Sequence, residues 1–315
     1  MTDAPRIGCA VDATALEDPA YRDAVARLFT VATAENAMKF AVLRPDRATY
    51  DFSAADRVME FAEAGRMAVR GHTLAWHSQL AGWVGEAPAY ERASILHDHI
   101  ATVVGRYRGR IEQWDVVNEA FDDDVKLRES PWFEAMGVDY IAQAFRWAHE
   151  ADPHARLYLN DYNVEDLCPK SDAYFQLAKQ LLADGVPLHG FGAQGHRIVG
   201  DAPSTMRENL QRFADLGLEV ALTEVDVRMP DDEAADRLAE QAADYRTLLD
   251  QARAVPACTT FVLWGLSDGH SWIPETFAGF GAAHVLDAQL RPKPAFDAVF
   301  GDVELVAAHP TGATR

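Results

Sequence analysis

No stretch of this 315-residue chain approaches the roughly 18–20 uninterrupted apolar residues of a membrane-crossing helix, so no helical anchor is expected. Basic residues are scarce: 29 Lys and Arg stand against 49 Asp and Glu, a formal charge of −20. A surface of that sign repels phosphate backbones and anionic lipids, which argues against nucleic acid and membranes as partners and leaves a neutral substrate untouched. Cysteine is rare as well. Cys9, Cys168 and Cys258 form neither a CxxC pair nor a metal-ligand spacing, and an odd count cannot pair fully within one chain. Reduced structural thiols in the cytoplasm fit this best. The start, Met1-Thr2-Asp3-Ala4-Pro5, lacks the basic-then-apolar pattern of a secretory signal, although a chain already relieved of its leader would be secreted instead. There is no internal repeat, low-complexity tract or Pro/Ser/Thr-rich linker, so residues 1–306 read as one domain and 307–315 as a flexible tail.

What is present is an alternation. Short apolar or β-branched runs recur at Ile7–Asp12, Val31–Lys39, Ala68–Trp76, Ile111–Glu119, Arg156–Asn163, Gly190–Arg197, Glu219–Val227 and Cys258–Leu266. Several are apolar on consecutive residues, as parallel strands covered on both faces should be. Amphipathic segments separate them. Ser53 and Ser204 sit at N-cap positions, Ser130-Pro131 reads as N-cap then first helical residue, and Gly65, Gly109, Gly185 and Gly217 follow helix ends. In Ser171–Asp184, the residues Tyr174, Leu177, Ala178, Leu181 and Leu182 repeat at helical spacing and mark a buried face. Eight strands separated by helices predict a single-domain α/β fold, the (β/α)8 TIM barrel.

Polar residues gather at the carboxyl-terminal ends of these runs, where the active sites of such barrels lie. The clusters are Glu35–Lys39, Gly71–Gln79, Asp115–Glu119, Asn160–Asn163, Gln194–His196, Thr223–Asp226 and Trp264–Asp268. Packing alone would favour apolar side chains there. Glu119 ends the fourth run and Glu224 lies in the seventh, on opposite sides of the expected mouth. Two carboxyl groups facing each other across a sugar ring are what glycoside hydrolysis requires, one as proton donor and one as attacking group. No catalytic metal or cofactor is called for. His72 and His77 are a poor metal pair, His97 and His99 face different sides of a helix, and Asp122-Asp123-Asp124 reads as a solvated loop. No Gly-rich basic cradle follows the seventh or eighth run, which disfavours phosphorylated substrates.

Taken in order, Glu35-Asn36-Ala37-Met38-Lys39, Gly71 to Gln79, Trp114 to Glu119, Asn160 to Asn163, Thr223 to Asp226 and the tryptophans Trp264 and Trp272 resemble glycoside hydrolase family 10, the (β/α)8 xylanases. The resemblance spans nearly the whole chain. It implies a retaining endo-1,4-β-xylanase acting on xylan or xylo-oligosaccharides by double displacement, with Glu119 as acid/base and Glu224 as nucleophile. It implies that His196 and Asp226 support the nucleophile, and that Asn118 bonds the 2-hydroxyl of the sugar. Lys39, His72 and Gln194 should line the subsite at the cleavage point, with Glu35, Asn36, Trp76, Gln79 and Tyr162 nearby and Trp264 and Trp272 as aromatic walls. It further implies a cis peptide between His72 and Thr73. Two positions depart from the family pattern. Phe40 replaces a tryptophan, implying looser packing behind the sugar, and Ile273 replaces a basic residue, implying an altered cleft edge. Another retaining β-glycosidase acting on glucans or aryl glycosides is the nearest alternative. A non-catalytic carbohydrate-binding barrel is a more distant one that would predict loss of Glu119 or Glu224. Oligomeric state is open.

Overall fold

The computed structural model describes residues 4–231 and 236–301, so the expected tail at 307–315 lies outside the described residues. The eight expected strands all form: β1 (Arg6–Val11), β2 (Val31–Ala34), β3 (Ala68–Ala75), β4 (Gln113–Asn118), β5 (Arg156–Asp161), β6 (Gly190–Ala193), β7 (Glu219–Pro230) and β8 (Cys258–Leu263). Each pairs in parallel with the next, and β8 returns to β1, closing a (β/α)8 barrel.

Several strand ends differ from expectation, and three of them shape the site. β2 stops at Ala34, because Asn36 to Lys39 turns back on itself through a Lys39 N–H to Asn36 carbonyl bond. The sixth run breaks after Ala193, where Gly195 takes φ +83°, and resumes as His196–Ile198 paired with β7. β7 is longer than expected, running to Pro230. Among the caps, Ser130 accepts from the Phe133 N–H at 3.1 Å ahead of Pro131, as expected. Ser53 is instead the first helical residue of Ser53–Ala64, and the Asp51 carboxylate two residues earlier takes its N–H. Ser204 yields the capping position to Thr205, whose hydroxyl turns away to Asp166. The helix Pro169–Ala183 buries Tyr174, Ala178 and Leu181 as its periodicity predicted, and Leu177 and Leu182 are half-buried.

Strand alternation sends one set of side chains outward under the helices and the other into the barrel. The outward set is apolar and tight. Gly71 on β3 lies under the Trp114 ring of β4; a β-carbon there would come within 2.2 Å of the ring. The inward set is unusually polar. Buried Arg70 pairs with Asp115, donates to Gln113 Oε1 at 3.0 Å and lies 4.4 Å from the Tyr158 ring centre. Tyr158 in turn donates to Glu219 Oε2 at 2.6 Å. The lower barrel is thus filled by a connected polar layer rather than by branched aliphatics.

Gly71→Ala should therefore destabilise the fold by at least about 1–3 kcal/mol through overpacking. Gly82→Ala, where a new β-carbon meets nothing within 4 Å, should stay within about 0.5 kcal/mol of the parent. Urea unfolding midpoints of the two variants check this; equal midpoints would refute the packing account.

Candidate active site

The strand ends open into a cleft of about 340 Å³. Of the expected site residues, Lys39, His72, Trp76, Gln79, Asn118, Glu119, Tyr162, Gln194, His196, Glu224, Trp264 and Trp272 line it. Glu35, Asn36 and Asp226 do not. Asn36 is exposed and links its neighbours, donating to Glu35 Oε1 at 3.2 Å and accepting from Lys39 Nζ at 2.9 Å. Burial and the nearby Asp12 charge push Glu35 up to about 7, against the opposing pull of Lys39. Asp226 lies behind the wall, where Oδ2 meets His196 Nδ1 at 2.9 Å and accepts from Trp272 Nε1 at 2.8 Å.

Glu224 rises from the middle of β7 into a place almost closed to water. Its Oε1 accepts from Asn160 Nδ2 at 2.8 Å and lies 3.8 Å from His72 Nδ1; its Oε2 faces His196 Nε2 at 3.3 Å. Burial alone would raise this carboxyl. The attraction of His72, the bond and charge of His196 and the charge of Lys39 outweigh burial and bring it down to about 2. His196 shows the reverse balance: burial favours the neutral ring, but the Asp226 and Glu224 carboxylates lift it to about 10. A ring bonded to a carboxylate at each nitrogen must donate from both, which only the imidazolium can do. His72 is turned by Asp115, whose Oδ2 is 3.0 Å from Nδ1, and the His72–Thr73 peptide bond is cis.

Glu119 follows β4 in the left-handed region, φ +57°, with its N–H held by the Asn160 carbonyl at 2.8 Å and its carbonyl by Arg128 Nε at 3.1 Å. Its carboxyl group meets a different environment from Glu224. Oε1 accepts from Asn118 Nδ2 and Gln194 Nε2, both at 3.2 Å, and Oε2 is 3.8 Å from His77 Nδ1. Burial, with Arg128 and Lys170 nearby, takes His77 down to about 4, so that ring is neutral near pH 7. Asn118 Oδ1 accepts from Asn160 Nδ2 at 2.8 Å, so a chain of amides joins the two carboxyl groups. Lys39 lines the same cleft, its Nζ 5.2 Å from the Trp76 ring centre and 5.9 Å from that of Trp264. Burial lowers its pKa against the pull of Glu224, Glu35 and Glu119.

Several contributors were not singled out from the sequence. Asn160 and Asp115 stood inside quoted clusters, and alternation with buried Tyr158 and Gln113 would have marked them as inward-facing. Asn163, Arg228 and Phe277 also line the cleft. Arg228 lies two residues beyond Asp226 on the extension of β7, while Phe277 comes from a loop with no periodic signal. The two departures act differently from expectation. Phe40 is buried, its ring 4.3 Å from His99 and within 6 Å of Trp83 and Trp132, so the position is packed rather than loose. Ile273 is fully buried at the start of a one-turn helix and so does not form the cleft edge.

Two glutamates from β4 and β7 of a (β/α)8 barrel, meeting in a cleft walled by tryptophan, define the site of a glycoside hydrolase. The comparisons make this specific: the model for glycosyl hydrolase family 10 matches residues 1–301, and the chain belongs to that family. It is 41% identical over 307 residues to an endo-1,4-beta-xylanase of Agaricus bisporus, covering 95% of this chain and 92% of that protein. The solved xylanase 10B of Thermotoga petrophila in complex with xylobiose superposes with a TM-score of 0.91 at 39% identity, covering 94% of this chain and 92% of that one. An intracellular xylanase of Thermoanaerobacterium saccharolyticum, in complex with xylotriose, gives a TM-score of 0.88 at 36% identity, with 94% and 95% covered.

His196→Asn puts a neutral amide near Glu224 and removes the positive charge. Losing an attraction that favours the ionised form raises a carboxyl pKa, so Glu224 should titrate above its parent position of about 2, by roughly one to two units. Carbon-13 carboxyl shifts followed across pH read this directly. An unmoved titration would show that His196 does not hold the charge.

Proposed function

We propose that this protein is a retaining endo-1,4-β-xylanase, with Glu224 as nucleophile and Glu119 as acid/base. The observation that supports it most is the contrast between two carboxyl groups in one cleft: Glu224 bonds the His196 imidazolium beside the Asn160 amide, while Glu119 bonds only neutral amides. In the first step Glu119 gives its proton to the glycosidic oxygen while Glu224 attacks the anomeric carbon, and the leaving sugar departs as an alcohol. In the second step Glu119 takes a proton from water, the water oxygen attacks the same carbon, and the Glu224 carboxylate is released. Two inversions restore the original configuration.

The surrounding residues have parts in this scheme. Asn118 is bonded through its side chain to Asn160 and Glu119, which sets its amide for the 2-hydroxyl of the sugar, a contact that strengthens in the transition state. Trp76, Trp264 and Trp272 offer flat apolar faces for pyranose rings. The choice of xylan rests on the relatives, whose names and bound sugars are those of xylanases. The presence of both glutamates speaks against a merely binding barrel.

Burst kinetics on an aryl xylobioside test the roles. Glu119→Ala should retain the first step with an acidic phenol leaving group, which needs no proton, and accumulate the covalent intermediate as a burst. On xylan the same variant should lose about 100-fold or more, the usual contribution of a general acid. Glu224→Ala should be inactive on both. Equal losses on both substrates with no burst would remove Glu119 from the acid/base role.

A further inference from the structure

One cleft residue has a charge that the reaction does not use. Arg228 extends from β7 two residues past Asp226, with its guanidinium 4.0 Å from the ring centre of Phe277. Among the described residues its guanidinium makes no hydrogen bond and no ion pair within 4 Å, and its Nε is buried without a partner. The other cations nearby are committed. Lys39 faces three carboxylates, and Arg197 pairs with Glu165 at 3.4 Å and Asp201 at 2.8 Å. Asp226 attracts Arg228, but no ion pair within 4 Å joins them: its Oδ2 receives His196 and Trp272, and its Oδ1 is buried without a hydrogen-bond partner. Arg197 adds a like charge, and the pKa of Arg228 is lowered, chiefly by burial. The guanidinium nevertheless stays protonated at any ordinary pH.

A neutral pentose chain has no need of a full positive charge held half out of water beside another cation. A carboxylate does. The fork of a guanidinium matches its two oxygens, and the pair is strengthened where water is partly excluded. The overall charge of −20 does not forbid this, because fields beyond about 8 Å are largely screened at physiological salt. Resting on the xylanase reading, we infer that Arg228 is a specificity residue that pairs with the carboxylate of a uronic-acid branch on the sugar chain, in a subsite formed with Phe277.

The test uses the whole protein and three substrates: a linear xylo-oligosaccharide, the same oligosaccharide bearing one glucuronic-acid branch, and the methyl ester of that branch. Each branch position is assayed, and the isomer cleaved best by the parent decides. The readout is the ratio of kcat/KM for branched over linear substrate. That ratio should fall about tenfold in Arg228→Gln, and about tenfold in the parent when the carboxyl is esterified, as expected for losing a charge-assisted hydrogen bond. The ester comparison needs no variant, so it stands even if Arg228→Gln folds poorly. A ratio moving less than about threefold in either comparison overturns the inference, since that change lies below what one such bond contributes. Loss of both activities in parallel would mean that Arg228 only props the Phe277 wall, and it too overturns the inference. Failure of the parent to cleave even the linear oligosaccharide would instead sink the xylanase reading, and this inference with it.

Discussion

The structure is organised around keeping one carboxylate ionised where water hardly reaches. An isolated buried carboxylate carries a desolvation cost of several kcal/mol or more, and normally takes up a proton to escape it. Glu224 avoids that outcome because partners converge on it from three other parts of the barrel: Asn160 from β5 and His196 from the short strand after β6 bond it, and His72 from β3 lies 3.8 Å away. Each partner is in turn fixed by a second group. Asp115 turns His72, Asp226 holds His196, and Thr223 donates to the Asn160 side-chain oxygen at 2.6 Å. Removing any of these would leave a charge or a dipole pointing at nothing.

The same logic continues downward. Asp115 is itself buried, and it is balanced by Arg70, which stacks on Tyr158 and reaches Gln113. Tyr158 passes the chain to Glu219, which pairs with Arg156 near the floor of the barrel at 2.9 Å. A barrel interior filled with aliphatic side chains would have been simpler to pack, but it would have offered no partner for the groups above. Buried ion pairs of this kind contribute little net stability against apolar substitutes. Their value here lies in orientation, since Arg70, Asp115, Gln113, Tyr158 and Glu219 are each tied to a neighbour.

Much of this was legible in the sequence. All eight strands announced themselves as apolar runs, and the polar residues at their ends marked the mouth, because alternation and burial leave few other reasons for carboxylates there. The misplaced boundaries have local causes. The helix begins at Ser53 with Phe52 ahead of it, because the Asp51 carboxylate accepts the Ser53 N–H. Gly195 interrupts the sixth run because its left-handed backbone lets His196 swing toward Glu224. Arg70 was invisible as an interior residue, since a charged side chain in a strand reads as an outer face until its partner on the neighbouring strand is known. Phe277 and Arg228 were hidden for a different reason. One sits in a loop and the other past the expected strand end, so no periodicity pointed to either.

The low pKa of Glu224 has opposing consequences for the two steps of the proposed mechanism. A carboxylate held near 2 is a weak base and therefore a modest nucleophile, which slows attack on the sugar. The same weakness makes it a good leaving group when the glycosyl ester is hydrolysed. Attack is assisted by other means, because Asn118 and the tryptophan walls hold the sugar against the carboxylate, and proximity can supply several kcal/mol. Departure has no such help beyond the base, so stabilising the released charge is where electrostatics matter most. The His196 and Lys39 charges around Glu224 are in place before the ester forms and need no reorganisation when it breaks. Glu119, among neutral amides, is free to give its proton in one step and recover it in the next.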